Sequence, residues 1–290
     1  MLDYIILTDS SCDLPLKIIE KLNISVVPLS VCIGDVKYKN YPNESEITNS
    51  KFYDLLRKKN VSKTSGVNIN DFIDKMESFL KEGKDILYLG FSSTLSCTYN
   101  NALNAVHDLL EKYPERKICT VDTLCGSLGQ GLIVYLTALE KKKGMLLEEA
   151  KTFVEKTKMS VSHWFVLDDL NHAKRGGRVS AATAMIGNML NIKPILHVDE
   201  SGKIVSDGKV RGRKAAIDFI AEKFGQTAIQ PDKSTVCISH GDCEGDAKNL
   251  AGLLKKNFKV KDIIINYMGP VIGSHGGPDA LALFFLGNKR

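Results

Sequence analysis

His275 stands in Gly269-Pro270-Val271-Ile272-Gly273-Ser274-His275-Gly276-Gly277-Pro278, a stretch holding four glycines and two prolines, and Ala280-Leu281-Ala282-Leu283-Phe284-Phe285-Leu286 follows almost at once. Glycine and proline at that density force a backbone path that other residues resist, so a tight bend is expected. An imidazole in that bend, beside an apolar wall, suits a ligand with a polar head and an oily body. It suits equally a histidine that satisfies its own hydrogen bonds at the edge of the core. Gly273 and Ser274 share the bend and join His275 as candidate ligand contacts.

Hydroxyls crowd several other places. Thr8-Asp9-Ser10-Ser11, Ser92-Ser93-Thr94-Leu95-Ser96-Cys97-Thr98-Tyr99 and Asp122-Thr123 each follow a β-branched or apolar run, and Lys63-Thr64-Ser65-Gly66-Val67-Asn68 reads as a loop ahead of a helix. Ser and Thr also favour helix N-caps, which is an alternative account of each group. Hydroxyls beside an imidazole can hold a carboxylate or phosphate, helped by free N–H groups at helix N-termini. They can also serve a nucleophile: Gly90-Phe91-Ser92-Ser93-Thr94 approaches the G-x-S-x-G elbow, but its fifth position is Thr. Nucleotide binding fits poorly, because neither G-x-G-x-x-G nor G-x-x-x-x-G-K-[ST] occurs in the chain.

The elements that must position these groups alternate along the first half. Tyr4–Thr8, Val26–Ile33, Asp85–Phe91 and Lys117–Val121 read as strands, and helical periodicity covers 14–22, 49–58, 70–81, 102–112, 126–142 and 147–158. That alternation predicts a mainly parallel sheet covered by helices, whose ligands sit beyond the carboxyl ends of the strands. After about residue 160 the pattern changes. Val161–Leu167 precedes a hairpin of 193–198 and 203–210 about Asp199-Glu200-Ser201-Gly202, followed by helix 214–224, strand 235–239, helix 246–256 and strands 262–267 and 280–286. The expected fold is therefore α/β with two domains, 1–160 with the parallel sheet and 161–290 with a mixed α/β arrangement.

Composition narrows the function classes. At 290 residues, with 43% hydrophobic and 25% charged content, the chain can bury an ample core and is not a disordered segment. The net charge of +5 is mild and dispersed, which gives little warrant for a nucleic-acid partner. Met1–Asp9 lacks the basic leader of a signal peptide and no run reaches membrane-spanning length, so a cytoplasmic protein without stable membrane insertion is expected. Seven cysteines without a C-x-x-C pair argue against a disulfide framework or a structural zinc site. His107, His163, His172 and His197 lack metal-ligand spacing, so neither metal nor cofactor is expected. Two basic clusters, Lys174-Arg175-Gly176-Gly177-Arg178 and Lys209-Val210-Arg211-Gly212-Arg213-Lys214, suit an oxyanion or an acidic partner, or simply solvated turns. Asp168-Asp169, taken as adjacent residues on an extended strand, point to opposite faces and read as structural.

In these motifs the chain resembles the DegV-family fatty-acid-binding proteins, the acyl-carrier subunits of bacterial fatty acid kinases. The likeness runs through nearly the whole length. It is carried by Thr8-Asp9-Ser10-Ser11-Cys12-Asp13-Leu14, Thr64-Ser65, Ser92 to Tyr99, Asp122-Thr123, Arg175-Gly176-Gly177-Arg178, Asn191-Ile192-Lys193-Pro194-Ile195-Leu196, Lys209-Val210-Arg211 and Gly273-Ser274-His275-Gly276-Gly277-Pro278. The resemblance implies one long-chain fatty acid clasped between two domains, its carboxylate held by Thr64, Ser93 and His275, with Ser65, Ser92 and Ser10 close by. It also implies a separate ATP-dependent fatty acid kinase that phosphorylates the bound carboxylate, with Arg178, Arg211 and Arg175 facing it, and no catalytic residue in the carrier. The chain departs from the family where it reads Gly66-Val67 for Gln-Pro, and Thr94 and Cys97 for Gly.

Non-covalent capture is physically reasonable only in an enclosed site. Burying roughly fifteen methylenes at about 0.8 kcal/mol each gives on the order of 12 kcal/mol, against an association cost of about 4–15 kcal/mol. A closed tunnel is thus expected, with Phe72, Ile73, Met185, Ile186, Met189, Leu190, Phe284 and Phe285 as candidate tail contacts that ordinary core packing explains as well. Two other readings compete: a serine hydrolase of acyl esters using Ser92 or Ser93 with His275 and Asp9 or Asp122, and a regulatory docking protein for which lipid is incidental.

Overall fold

A computed structural model of the chain describes residues 4–178, 191–288 and 290. The first half runs β1 (Tyr4–Asp9), a 3-10 turn (Ser10–Cys12), α1 (Leu16–Lys21), β2 (Ser25–Val27), β3 (Ser30–Ile33), β4 (Val36–Lys39), α2 (Asn49–Arg57), β5 (Ser62–Ser65) and α3 (Ile69–Lys81). It continues through β6 (Asp85–Gly90), α4 (Thr98–Lys112), β7 (Ile118–Asp122), α5 (Leu128–Lys142) and α6 (Leu147–Thr157). The second half contains β8 (Val161–Val166), α7 (Leu170–Gly176), β9 (Ile192–Val198), β10 (Ile204–Arg211), α8 (Arg213–Thr227), β11 (Thr235–His240), α9 (Glu244–Phe258), β12 (Asp262–Tyr267), α10 (Pro270–Gly276) and β13 (Leu281–Leu286).

The expected α/β class is what the structure shows. β2-β1-β6-β7 form a parallel sheet drawn wholly from residues before 160, and β10-β9-β8-β13-β11-β12 form a mixed sheet drawn wholly from residues after it. The hairpin about Asp199 pairs β9 and β10 antiparallel, with a bulge between Ser206 and Gly208. β13 is buried between β8 and β11, which is why its run reads as continuously apolar.

α5 holds the halves together. Leu128 to Val134 are buried without interruption, so the first two turns of the helix have no solvent face. It packs on β1 and β6 on one side and on β8, β11 and β13 on the other. One hydrophobic cluster accordingly joins Ile6, Leu87 and Leu132 to Val161, Leu196 and Phe284.

Four local expectations are corrected. Residues 26–33 are not one strand: the chain leaves the parallel sheet after Val27 and enters a separate antiparallel sheet, β4-β3-β5, at Ser30. Pro28 between them has no N–H to continue a ladder. Thr64 and Ser65, placed in a loop from sequence, belong to β5, and Thr64 pairs with Val31. Asp169 lies on no strand; its carboxylate accepts the Asn171 N–H at 2.8 Å and caps α7, while Asp168 pairs with Lys193. The bend around His275 is a helix, α10, because Pro270 sits in its first turn with φ already set, and Gly277 ends it at φ +78°.

Candidate site between the halves

The cavity that concerns function has a volume of about 430 Å³ and is lined from both halves of the chain, inside the roughly 300–1,000 Å³ range of small-molecule sites. Leu29, Phe91, Leu95 and Gly126 come from the first half; Phe165, Leu167, Ala173, Val198, Ile204, Met268, Ile272, Ala282 and Phe284 come from the second. Most of this wall is apolar. The polar exceptions include Thr64, Ser65, Ser96, Ser127, His163, His275 and Arg178.

The two groups separated furthest in sequence make the central contact. His275 Nε2 lies 2.9 Å from Thr64 Oγ1, across 211 residues of chain. β5 holds Thr64 by its ladder with β3, and α10 holds His275 by packing on α7 and on the first half. Gly273 faces Tyr53 so closely that a Cβ there would overlap the phenol oxygen and lie 2.9 Å from Phe52. Tyr53 in turn donates to the Met268 carbonyl at 2.7 Å. The N-cap of α10 is tied to the first half as well, because the Gly269 N–H donates to Asp13 Oδ1 at 2.9 Å.

Burial sets the protonation of this corner. The His275 imidazole is pushed down to about 4, first by burial and then by the nearby Arg178 guanidinium, so the ring is neutral at ordinary pH. Asp13 is pushed up to about 7 by burial, against the opposing effect of hydrogen bonds from Ser127 and the Gly269 N–H. Arg178 reaches over the mouth, donating from Nε to the Leu95 carbonyl at 3.0 Å and from Nη1 to the Gly176 carbonyl at 2.5 Å.

The remaining sequence candidates fall in different places. Thr64, Ser65, His275 and Arg178 line the cavity; Ser10, Ser92, Ser93, Gly273 and Ser274 are not among its lining residues. Ser10 Oγ accepts the Leu29 N–H at 2.9 Å, and Ser274 Oγ donates to the Pro270 carbonyl at 2.7 Å. Ser92 Oγ donates to the Gly202 carbonyl at 3.1 Å, and the Ser93 N–H lies 3.3 Å from both Asp122 oxygens. Arg175 contacts His172, with 3.2 Å between Nη2 and Nδ1, and Arg211 is exposed at the end of β10 opposite Ile192.

The proposed hydrolase groups are not brought together. Asp9 is bound by Ser11, Tyr88, Gln130 and the Phe91 N–H. Among the described residues no hydrogen bond joins Ser92 or Ser93 to His275. Of the candidate tail contacts, Phe284 lines the cavity, Phe72 and Ile73 pack in the core of the first half, and Phe285 packs on the opposite face of the mixed sheet. Met185, Ile186, Met189 and Leu190 lie outside the described residues.

Ser96 was missed as a site residue. It lines the cavity and its Oγ lies 2.8 Å from Thr98 Oγ1 and accepts the Thr98 N–H at 3.2 Å. The missing signal was the start of α4 at Thr98, whose N–H the Ser96 hydroxyl accepts from one residue outside the Cys97 N-cap. Gly66 and Cys97 also meet in space. A Cβ at Gly66 would lie 2.7 Å from Thr98 Oγ1 and 3.2 Å from Cys97 Sγ, so Cys97 helps fill the room that a side chain at 66 would need.

The fold and this cavity define a class: a mixed α/β protein that encloses an apolar space between two halves, with hydroxyls and a neutral imidazole at its polar edge. Comparison with known proteins assigns the lineage. The profile described as "Uncharacterised protein, DegV family" matches residues 4–288, and the chain belongs to that family. A DegV domain-containing protein of Clostridium perfringens is 42% identical over 290 residues, covering 100% of this chain and 99% of the relative. The crystal structure of a fatty-acid-binding DegV family protein of Streptococcus agalactiae is similar with a TM-score of 0.86 and 30% identity, covering 100% of both chains. A fatty-acid-binding DegV family protein of Thermus thermophilus gives a TM-score of 0.88 at 29% identity, covering 98% of this chain and 99% of that one. Among the described residues no helix is long and apolar enough to cross a membrane.

Proposed function

We propose that this protein is a cytoplasmic carrier that binds one long-chain fatty acid non-covalently in the cavity and presents its carboxylate to a separate ATP-dependent fatty acid kinase, which forms the acyl phosphate. The observation that carries the reading is the Thr64–His275 contact at the edge of an otherwise apolar space. Relatives with the same fold over their whole length bind fatty acids, which supports it further. The halves 1–160 and 161–290 act as two domains that enclose the acyl tail between them.

Thr64, Ser65 and His275 form the head-group site, His275 acting through its contact with Thr64 Oγ1, with Ser96 beside them. Ser10, Ser92, Ser93, Gly273 and Ser274 support the geometry around that head group. Arg178, Arg175 and Arg211 form the partner-facing side, where guanidinium groups suit the phosphoryl oxygens that the kinase transfers. The carrier itself supplies no catalytic group, cofactor or metal.

Native mass spectrometry of protein purified from bacteria should show one copurified fatty acid per chain. A lipid-free protein that also binds no added fatty acid would overturn the reading. With labelled fatty acid, ATP and a fatty acid kinase, acyl phosphate should form only when this protein is present; equal formation without it removes the presenting role.

A further inference from the structure

Gly176 is the last residue of α7, and its backbone lies in the ordinary helical region, where alanine fits with less conformational entropy lost. Nothing in the backbone therefore calls for glycine. The reason is across the interface between α7 and α10. A Cβ at 176 would overlap the His275 ring at Nδ1 and lie 2.7 Å from its Cε1. The neighbouring Gly177 differs: its φ is +67° and a Cβ there would meet nothing within 4 Å. Adjacent glycines in one motif thus do two jobs, one conformational and one steric.

The close approach also decides which ring nitrogen carries the proton. His275 Nδ1 is buried and has no hydrogen-bond partner among the described residues, while Nε2 lies 2.9 Å from Thr64 Oγ1. A proton on Nδ1 would leave a buried N–H without an acceptor, the rarer and costlier kind of orphan. A proton on Nε2 donates to the Thr64 oxygen and leaves the Thr64 O–H to point elsewhere.

We infer that Gly176 is a positioning residue for His275: by lacking a side chain it seats the ring as the Nε2–H tautomer, which makes the Thr64 hydroxyl the donor offered to the acid head group. The consequence for the ligand rests on the proposed fatty-acid reading; the seating of the ring does not. The motif Arg175-Gly176-Gly177-Arg178 then serves the head-group site as well as the partner-facing side.

A double-mutant cycle tests the seating. Gly176→Ala alone should lower the melting temperature and weaken fatty-acid binding at least tenfold. In the His275→Ala background the same change should leave the melting temperature unchanged or raise it, because the ring it strikes is gone and alanine favours the helix. An equal loss in both backgrounds would mean that the glycine serves α7 alone and would overturn the inference. Should Gly176→Ala fail to fold while Gly176→Ala/His275→Ala folds, the steric account is supported.

Nitrogen NMR of the wild-type ring gives an independent readout that involves no lipid. The expected spectrum has a pyridine-type Nδ1 and a protonated Nε2; a protonated Nδ1 would remove Thr64 as the donor. If both of these lipid-free results come out as stated while no fatty acid binds, the carrier reading falls and the role of Gly176 stands.

Discussion

His163 and His275 line the same cavity, and each presses one side of its ring against a helix glycine, yet they are built for different ends. A Cβ at Gly129 would overlap His163 at Nε2 and lie 2.7 Å from its Cδ2, much as one at Gly176 would strike His275. Burial pushes both rings down, His163 to about 3 and His275 to about 4. The difference lies in the bonded nitrogen. His163 Nδ1 is 3.0 Å from the Val161 carbonyl, two residues away on its own strand. His275 Nε2 reaches a hydroxyl from the other half of the molecule. A histidine tied to its own backbone is part of the wall; one tied across an interface can respond to what occupies the gap.

The comparison can be broken by exchanging losses. His275→Ala should weaken binding of a long-chain fatty acid by about 1–3 kcal/mol, or roughly five- to 150-fold, and abolish the preference for the acid over its methyl ester. His163→Leu leaves the Val161 carbonyl unpaired and should lower stability by a similar 1–3 kcal/mol, while changing acid and ester affinities by the same factor. Competition titrations with the two ligands separate these outcomes. If both variants lose acid selectivity alike, the distinction between wall and sensor is wrong.

Acid should reveal what the rings share. Both pKa values are depressed below the ordinary 6.5, so the unfolded chain binds more protons in this window and stability rises with pH. Their contribution is complete above about pH 6.5 and is lost as pH falls through it toward 4 for His275 and toward 3 for His163. Asp13 has the opposite sign: raised to about 7, it contributes fully below its ordinary 3.8 and loses that contribution as pH rises toward 7. Denaturant melts from pH 4 to 8 should show His163→Leu flattening the acidic limb and Asp13→Asn flattening the other. An acidic limb unchanged in His163→Leu would mean that its ring is not held neutral.

The smallest effect belongs to the surface between the halves. Arg57 of α2 pairs with Asp242 and lies 3.5 Å from Asp279, both in the second half. These charges are partly exposed, so Arg57→Ala should cost under about 1 kcal/mol and leave ligand affinity nearly unchanged. A large loss of affinity, read by the same titration, would mean that this pair rather than α5 and α10 holds the cavity closed.

Much of the framework was legible in the residues. Periodicity and caps placed most helices within a few positions, as with Asn68, whose side chain accepts the Asp71 N–H and opens α3. Apolar continuity marked β13, and the change of pattern near 160 coincides with the change of sheet. Local rules failed where a short element had a mixed signal. β5 carries Ser-Lys-Thr-Ser, with no hydrophobic alternation, and exists because β3 offers it an edge. α10 carries two glycines and is flanked by two more, which read as a bend until its packing against α7 and Tyr53 is seen.

The amino-acid sequence by itself determined the inventory: an imidazole among glycines, clustered hydroxyls, and enough apolar length to enclose a space. Only the tertiary structure decided which of these groups meet. Helix caps and strand ladders act over a few residues, so they can place Thr64 on β5 and His275 on α10 separately. Their meeting across 211 residues depends on the register of β5 against β3 and on how closely two helices approach at a glycine. A shift of one residue in that register would turn Thr64 to the other face, and one added methyl at 176 would move the ring.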